Sequence, residues 1–196
     1  ALGCLYAGAT VGAWYPITPS TSLMDSFTSY CDFFRKDEAT GKNKYAIIQA
    51  EDELAAIGIA LGAGWNGSRS FTPTSGPGIS LMNEFLGFGY YAEIPTVVFD
   101  VQRTGPSTGM PTRTQQGDIS MLYEASHGDT QHLVLIPGNV DECFEYAWKA
   151  FDYAEKYQTI VFGFSDLDLG MNQWASNGFD HPDEPINRGK VILTKK

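Results

Sequence analysis

Residues 95–101, Pro-Thr-Val-Val-Phe-Asp-Val, form a continuous β-branched and aromatic run. A strand that does not alternate between apolar and polar is covered on both faces, the condition of a strand inside a parallel sheet. Short apolar runs of the same kind occur at Tyr45–Gln49, Arg69–Thr74, Leu133–Ile136 and Thr159–Phe164. Helical patterns separate them. Glu51–Trp65 opens on an acidic turn and carries Leu54, Ile57, Ala60 and Leu61 at helical spacing. Residues 79–91 and Gly117–Ser126 follow, and Asn139 and Asp141 cap a helix running to about Tyr157, with Phe144, Ala147, Trp148, Phe151 and Ala154 inward. This order predicts an α/β fold: a doubly wound, mostly parallel sheet with helices on both faces. Ligands of such sheets bind at the carboxyl ends of the strands, so chemistry is expected in the loops after 45–49, 69–74 and 95–101.

Residues 1–13 read as a small-residue helix without a start signal, part of it lying upstream. In Tyr15-Pro-Ile-Thr-Pro-Ser-Thr21 two prolines bracket Ile17-Thr18 and stiffen a bend that presents one hydroxyl. Ser20, Thr21 or Ser22 can cap the next helix, Ser22 and Asp25 having capping-box spacing. That helix is expected to turn Leu23, Phe27, Tyr30, Phe33 and Phe34 inward. Lys36–Lys44 reads as a loop, and residues 102–116 as a long polar loop of the kind that is functional or disordered. Residues 1–170 are expected to form the domain and 171–196 a linker toward a following domain, with Val191–Thr194 beginning something further.

The 196 residues carry a net charge of −10, which argues against nucleic-acid and anionic-membrane partners. No apolar run reaches the length of a membrane span, and no signal peptide is visible. Cys4, Cys31 and Cys143 are far apart and include no C-x-x-C pair, so they suggest neither zinc nor an iron–sulfur cluster but free thiols of a reducing cytoplasm.

Two motif matches fail on context. Gly62-Ala-Gly64-Trp-Asn-Gly67 ends a helix, whereas a dinucleotide fingerprint follows a strand and opens one. Gly62 is read instead as close helix packing and Gly67 as a helix stop. Gly105-Pro-Ser107-Thr-Gly109 has the spelling of a nucleophile elbow, but Ser107 lies deep in a loop; with Asp118 and His127 it leaves a serine hydrolase as a minor alternative. His127, His132 and His181 are scattered and read as loop or surface residues, with no metal site.

What remains is Thr18 in its proline bracket, Glu53 in a first helical turn, and Arg103 directly after a strand, near Ser107, Thr108, Thr112 and Arg113. These residues alone are also compatible with a non-catalytic α/β module that binds a small anion or a partner. Together, YPITPST at 15–21, AEDELAAIGIALGA at 50–63, TSGPG at 74–78 and QRTGPSTGMPTRTQQGD at 102–118 closely resemble the α subunit of 2-oxoacid:ferredoxin oxidoreductases, the 2-oxoglutarate type being nearest. The resemblance runs from residue 1 to about 195. It implies the pyrimidine-binding domain of a thiamine diphosphate enzyme, catalysing CoA-dependent oxidative decarboxylation of a 2-oxoacid to acyl-CoA and CO2 with reduction of ferredoxin.

By the same resemblance Glu53 is the catalytic acid that hydrogen-bonds N1′ of the aminopyrimidine, favouring the imino tautomer; Glu51 is a rival that lacks the alanine spacing. Thr18, Arg103 and Thr112 match positions that bind the oxoacid carboxylate, for which a guanidinium and hydroxyls are suited. Ser75 and Gly76 of the TSGPG turn are expected to line the cofactor site with backbone amides. Arg113 stands where the family commonly has lysine, which leaves the oxoacid preference open. The diphosphate/Mg2+ site and the iron–sulfur cluster are expected in a partner β subunit, without which the chain is inactive.

Overall fold

The computed structural model describes residues 1–181 and 183–189; the run at Val191–Thr194 lies outside them. In chain order the elements are α1 (Leu2–Tyr6), β1 (Val11–Trp14), α2 (Thr21–Phe34), β2 (Ala46–Gln49), α3 (Glu53–Trp65), β3 (Ser70–Thr74), α4 (Gly76–Tyr91), β4 (Thr96–Gln102), α5 (Ile119–Tyr123), β5 (Leu133–Leu135), α6 (Val140–Tyr157), β6 (Ile160–Asp166) and α7 (Leu167–Met171). The strands form one six-stranded sheet in the order β2-β1-β3-β4-β6-β5, every neighbouring pair parallel.

Side chains of a strand alternate between its faces, so each strand feeds two cores. On β4, Val97 and Phe99 join Cys4, Met24, Phe27 and Phe151 of α1, α2 and α6, while Val98 joins Ile57, Met82 and Leu86 of α3 and α4. On β6, Val161 belongs to the first core and Ile160, Phe162 and Phe164 to the second.

The structure corrects several expectations. Residues 1–13 are not one helix: α1 ends at Tyr6, and Val11–Trp14 is a strand between β2 and β3. Its Gly12 is small because Met24 packs against it; a Cβ there would meet Met24 Cε at 2.7 Å. On α2 the inward residues are Met24, Phe27 and Cys31, whereas Phe33 and Phe34 are 81% and 61% exposed. A 14-residue helix runs about 21 Å and a four-residue strand about 13 Å, so the last turn overhangs the sheet. No capping box forms at Ser22: α2 starts at Thr21, and the hydroxyls of Ser20 and Thr21 donate back to the Ile17 carbonyl. On α3 Asp52 is the N-cap, accepting from the Ala55 N–H at 2.7 Å, and Leu54 faces outward. Gly64, not Gly62, makes the close approach, since a Cβ there would lie 2.5 Å from the Pro95 carbonyl. His132 is a core residue with Nε2 3.1 Å from the Ala125 carbonyl oxygen, not a surface one.

Described residues beyond α7 form no helix or strand, yet they are not a free tether. Phe179 stacks on Phe144 at 4.8 Å, and His181 meets Tyr6 at 5.3 Å. At the amino-terminal end of the sheet, buried Arg69 donates to Glu155, Asp152, the Ala7 carbonyl and the Asn187 carbonyl, and Arg188 pairs with Glu155 at 2.7 Å. Among the described residues no helix is long and apolar enough to cross a membrane.

Candidate active site

The strand order places a switch point between β1 and β3. The chain leaves β1 for α2 on one face and β3 for α4 on the other, so the two loops part above the strand ends. Tyr15–Ser20 is therefore a strand-to-helix loop at the binding end of the sheet, rather than a bend between two helices.

Arg103 follows β4 and lies on its α2-facing side, by alternation from Val97, Phe99 and Val101. Its guanidinium crosses to the β1–α2 loop, where Nη1 donates to the Thr18 carbonyl at 2.7 Å. Nη2 donates to the carbonyls of Ser107 and Thr108, both at 3.3 Å. Arg103 is 8% exposed, and its Nε–H is buried without an acceptor among the described residues. A guanidinium has five N–H donors, so capacity for an anion remains.

The polar loop is ordered by its own hydrogen bonds. Thr104 N–H donates to the Arg113 carbonyl at 2.9 Å, and Met110 N–H to the Thr104 carbonyl at 3.0 Å. Thr112 and Arg113 sit on the exposed outer turn, and among the described residues no hydrogen bond joins Thr112 to Arg103 or Thr18. The structure thus brings Thr18 and Arg103 together and leaves Thr112 apart from them.

Glu53 opens α3 beside the end of β3. It is 7% exposed, and its carboxylate has no hydrogen-bond partner among the described residues. Room for it depends on Gly78: a Cβ there would strike Thr74 Oγ1 and lie 2.9 Å from Glu53 Cγ. Glu51, the rival, is exposed. Ser75 is wholly buried, its Oγ unpartnered, while its carbonyl accepts the N–H groups of Gly78 and Ile79. Those two amides are turned inward, so Gly76 is the turn residue whose N–H is not used in this way.

Sequence reasoning missed Asp100. It lies on the α4-facing side of β4, 0% exposed, and its side chain meets that of Asp118. Burial, and then the Asp118 charge, push its carboxyl well above the usual carboxylate range. The available signal was a lone acid inside an otherwise apolar strand. Asp118 is thereby engaged, and His127 Nε2 lies 3.2 Å from Glu84, so no Ser107–His127–Asp118 relay exists. Among the described residues no group of three or more His, Cys, Asp or Glu side chains is arranged to hold a metal ion.

A family model described as pyruvate flavodoxin/ferredoxin oxidoreductase, thiamine diphosphate-binding, matches residues 2–176. The chain belongs to this family. It is 43% identical to the 2-oxoglutarate synthase subunit KorA of Methanocaldococcus jannaschii, covering 87% of this chain and 44% of that one. It is 44% identical to subunit alpha of 2-oxoacid:ferredoxin oxidoreductase 1 of Sulfurisphaera tokodaii, covering 98% of this chain and 31% of the relative. The chain therefore spans less than half the length of these curated relatives. Among solved structures it resembles the 2-oxoglutarate:ferredoxin oxidoreductase of Magnetococcus marinus with 2-oxoglutarate, coenzyme A and succinyl-CoA bound, at TM-score 0.77 and 38% identity over 86% of this chain and 28% of that one. A benzoylformate decarboxylase from Polynucleobacter necessarius shares the fold at TM-score 0.67 and 13% identity, covering 93% of this chain and 31% of that one. The cofactor in the family's description fits what this pyruvate flavodoxin/ferredoxin oxidoreductase domain offers. A nearly buried carboxylate without a partner is unfavourable unless a ligand atom satisfies it, and Gly78 keeps the space around Glu53 open.

Proposed function

We propose that this chain is the pyrimidine-binding part of the α subunit of a 2-oxoacid:ferredoxin oxidoreductase of the 2-oxoglutarate type. The reaction is CoA-dependent oxidative decarboxylation of the oxoacid to acyl-CoA and CO2, the two electrons passing to ferredoxin. The observation that carries this reading is the meeting of Arg103 and Thr18 at the switch point, in the same layer of loops as unpartnered Glu53.

Each residue has a task within that reading. Arg103 binds the oxoacid carboxylate through donors not used by the carbonyls of Thr18, Ser107 and Thr108, and it is held in place by those carbonyls. The Thr18 hydroxyl, on a backbone fixed by two prolines, donates to the same carboxylate. Thr112 joins them when the outer turn of the polar loop folds over bound substrate. Glu53 holds a proton against N1′ of the aminopyrimidine, and the turn at Ser75–Gly76 packs beside it. Thiamine diphosphate, when bound, supplies the electron sink that takes up the electron pair released as CO2 leaves.

A partner completes the site. We place the diphosphate/Mg2+ contacts and the iron–sulfur cluster in a β subunit; that the relatives are named as α subunits supports this. So does an exposed apolar strip along α3 and α4, where Leu54, Trp65, Leu81, Phe85 and Phe88 are 37–63% exposed and Trp65 stacks on Phe88 at 6.0 Å. Free Cys4, Cys31 and Cys143 fit a reducing cytoplasm.

The test is Glu53→Gln in the full α chain assembled with its β subunit. Oxoacid-dependent reduction of ferredoxin or viologen should disappear while assembly persists. Retained activity would defeat the assignment.

A further inference from the structure

Asp100 and Asp118 are not absorbed by the roles above. Both oxygens of Asp100 and Oδ2 of Asp118 are buried, and when both groups are treated as carboxylates none has a hydrogen-bond donor among the described residues. Two buried acids with no donor between them are strongly unfavourable; one shared proton turns the same contact into an O–H to carboxylate hydrogen bond. The groups around Asp100 offer no alternative. Its register partners on β3 and β6 are Thr74 and Phe164. The ionisable groups on this side are the acids Asp118, Glu53 beyond Thr74, and Asp166 at the end of β6, which accepts from Gln116 at 2.8 Å, together with His132, packed on Phe162 at 5.2 Å and pushed by burial toward its neutral form. Arg103 is on the opposite face of β4, and among the described residues no lysine or arginine pairs with either carboxyl.

Asp118 is the residue where the polar loop ends. Its N–H donates to Gln102 Oε1 at 3.4 Å, and its carbonyl accepts from Leu122 N–H at 2.9 Å, starting α5. Its carboxyl lies flat against Gly76, where a Cβ would stand 2.6 Å from Oδ2. The loop that bears Arg103, Ser107, Thr108 and Thr112 is therefore fastened twice. Arg103 ties its beginning to the β1–α2 loop, and Asp118 ties its end to Asp100 and to the first residue of α4.

We propose that Asp100 and Asp118 share one proton and form a clasp that positions residues 103–118 against the Ser75–Gly78 turn, making them positioning residues for the oxoacid site. The proposal rests on the function proposed above for its kinetic consequence, but not for its structural one. The sign of its pH dependence follows from the raised Asp100 carboxyl. The clasp is fully closed below the ordinary carboxylate range. It opens as pH rises through the raised value, when the second charge appears and no cation balances it.

The experiment compares wild type, Asp100→Asn, Asp100→Ala and Asp118→Ala in the full α chain assembled with its β subunit. It measures hydrogen exchange of residues 104–117 from acid through alkaline pH and the kinetics with 2-oxoglutarate. Asparagine supplies a permanent donor to Asp118, so Asp100→Asn should keep the loop protected and abolish the loss of protection with rising pH expected of wild type. The two alanine variants should expose the loop at all pH values and raise KM about tenfold, with a smaller change in kcat. Asp100→Asn exchanging like Asp100→Ala, or a wild-type loop whose protection does not change with pH across the range, would overturn the clasp. Should the alanine variants not assemble, the Asn comparison still decides. Should the complex prove inactive on oxoacids, the function fails, while the exchange data judge the clasp by themselves.

Discussion

Arg103 reaches across β3 to hold the carbonyl of Thr18, 85 residues away in the chain, at 2.7 Å. A charged donor on a neutral backbone acceptor is among the stronger hydrogen bonds of a folded protein. It fixes two loops on either side of the switch point while leaving the buried Nε–H unused.

Replacing that fork with an ammonium tests its geometry. Arg103→Lys keeps the charge but cannot bridge Thr18, Ser107 and Thr108 at once. In the assembled enzyme kcat/KM for the oxoacid should fall about 10- to 100-fold. Steady-state kinetics indistinguishable from wild type would remove Arg103 from the substrate site.

Gly78→Ala tests the room made for Glu53. The added methyl meets Thr74 Oγ1 and Glu53 Cγ, so the acid or the first turn of α4 must move. A misplacement on the scale of 1 Å costs activity about 100-fold, and overpacking costs about 1–3 kcal/mol of stability. Thermal denaturation and turnover measured together separate the two effects; a variant unchanged in both would contradict the packing described.

Arg69 concerns stability alone. Its side chain is 2% exposed and pairs with Glu155, itself 8% exposed, and with Asp152 at 2.6 Å. Removing one partner of a buried pair leaves charge uncompensated, and Arg69→Ala should cost about 3 kcal/mol. Arg188 still reaches Glu155, which keeps the loss from being larger. Urea unfolding showing less than about 1 kcal/mol would place this network among the weak surface pairs.

The strip on α3 and α4 makes a separable prediction. Trp65→Glu with Phe88→Glu removes a half-exposed stacked pair, so the chain itself should lose about 1–3 kcal/mol and still fold, which thermal denaturation of the variant checks. Co-purification with the β subunit should be lost. Intact co-purification would move the partner surface elsewhere.

The sequence announces its strands wherever they are long and apolar. Residues 95–101 and 159–164 read correctly because covering both faces of a strand demands β-branched and aromatic residues without a break. β1 escapes the same reasoning, since Gly12 must be small to admit Met24, and small residues carry no strand signature. Phe33 and Phe34 escape for the opposite reason: they look like core, but α2 outruns the sheet beneath it. Asp100 could be seen as an anomaly in its strand, yet its partner Asp118 lies beyond a long loop that no periodicity spans.

Local order along the chain thus determined the α/β class, the loops in which to seek chemistry, and the residues Thr18, Glu53 and Arg103 as the ones to explain. These follow from interactions between near neighbours, in which period and turn chemistry suffice. The tertiary structure alone decided that β1 lies between β2 and β3, that Arg103 therefore faces Thr18, and that Asp100 faces Asp118. Strand order is set by how whole faces bury one another. Contacts between residues far apart in the chain exist only after that order is chosen.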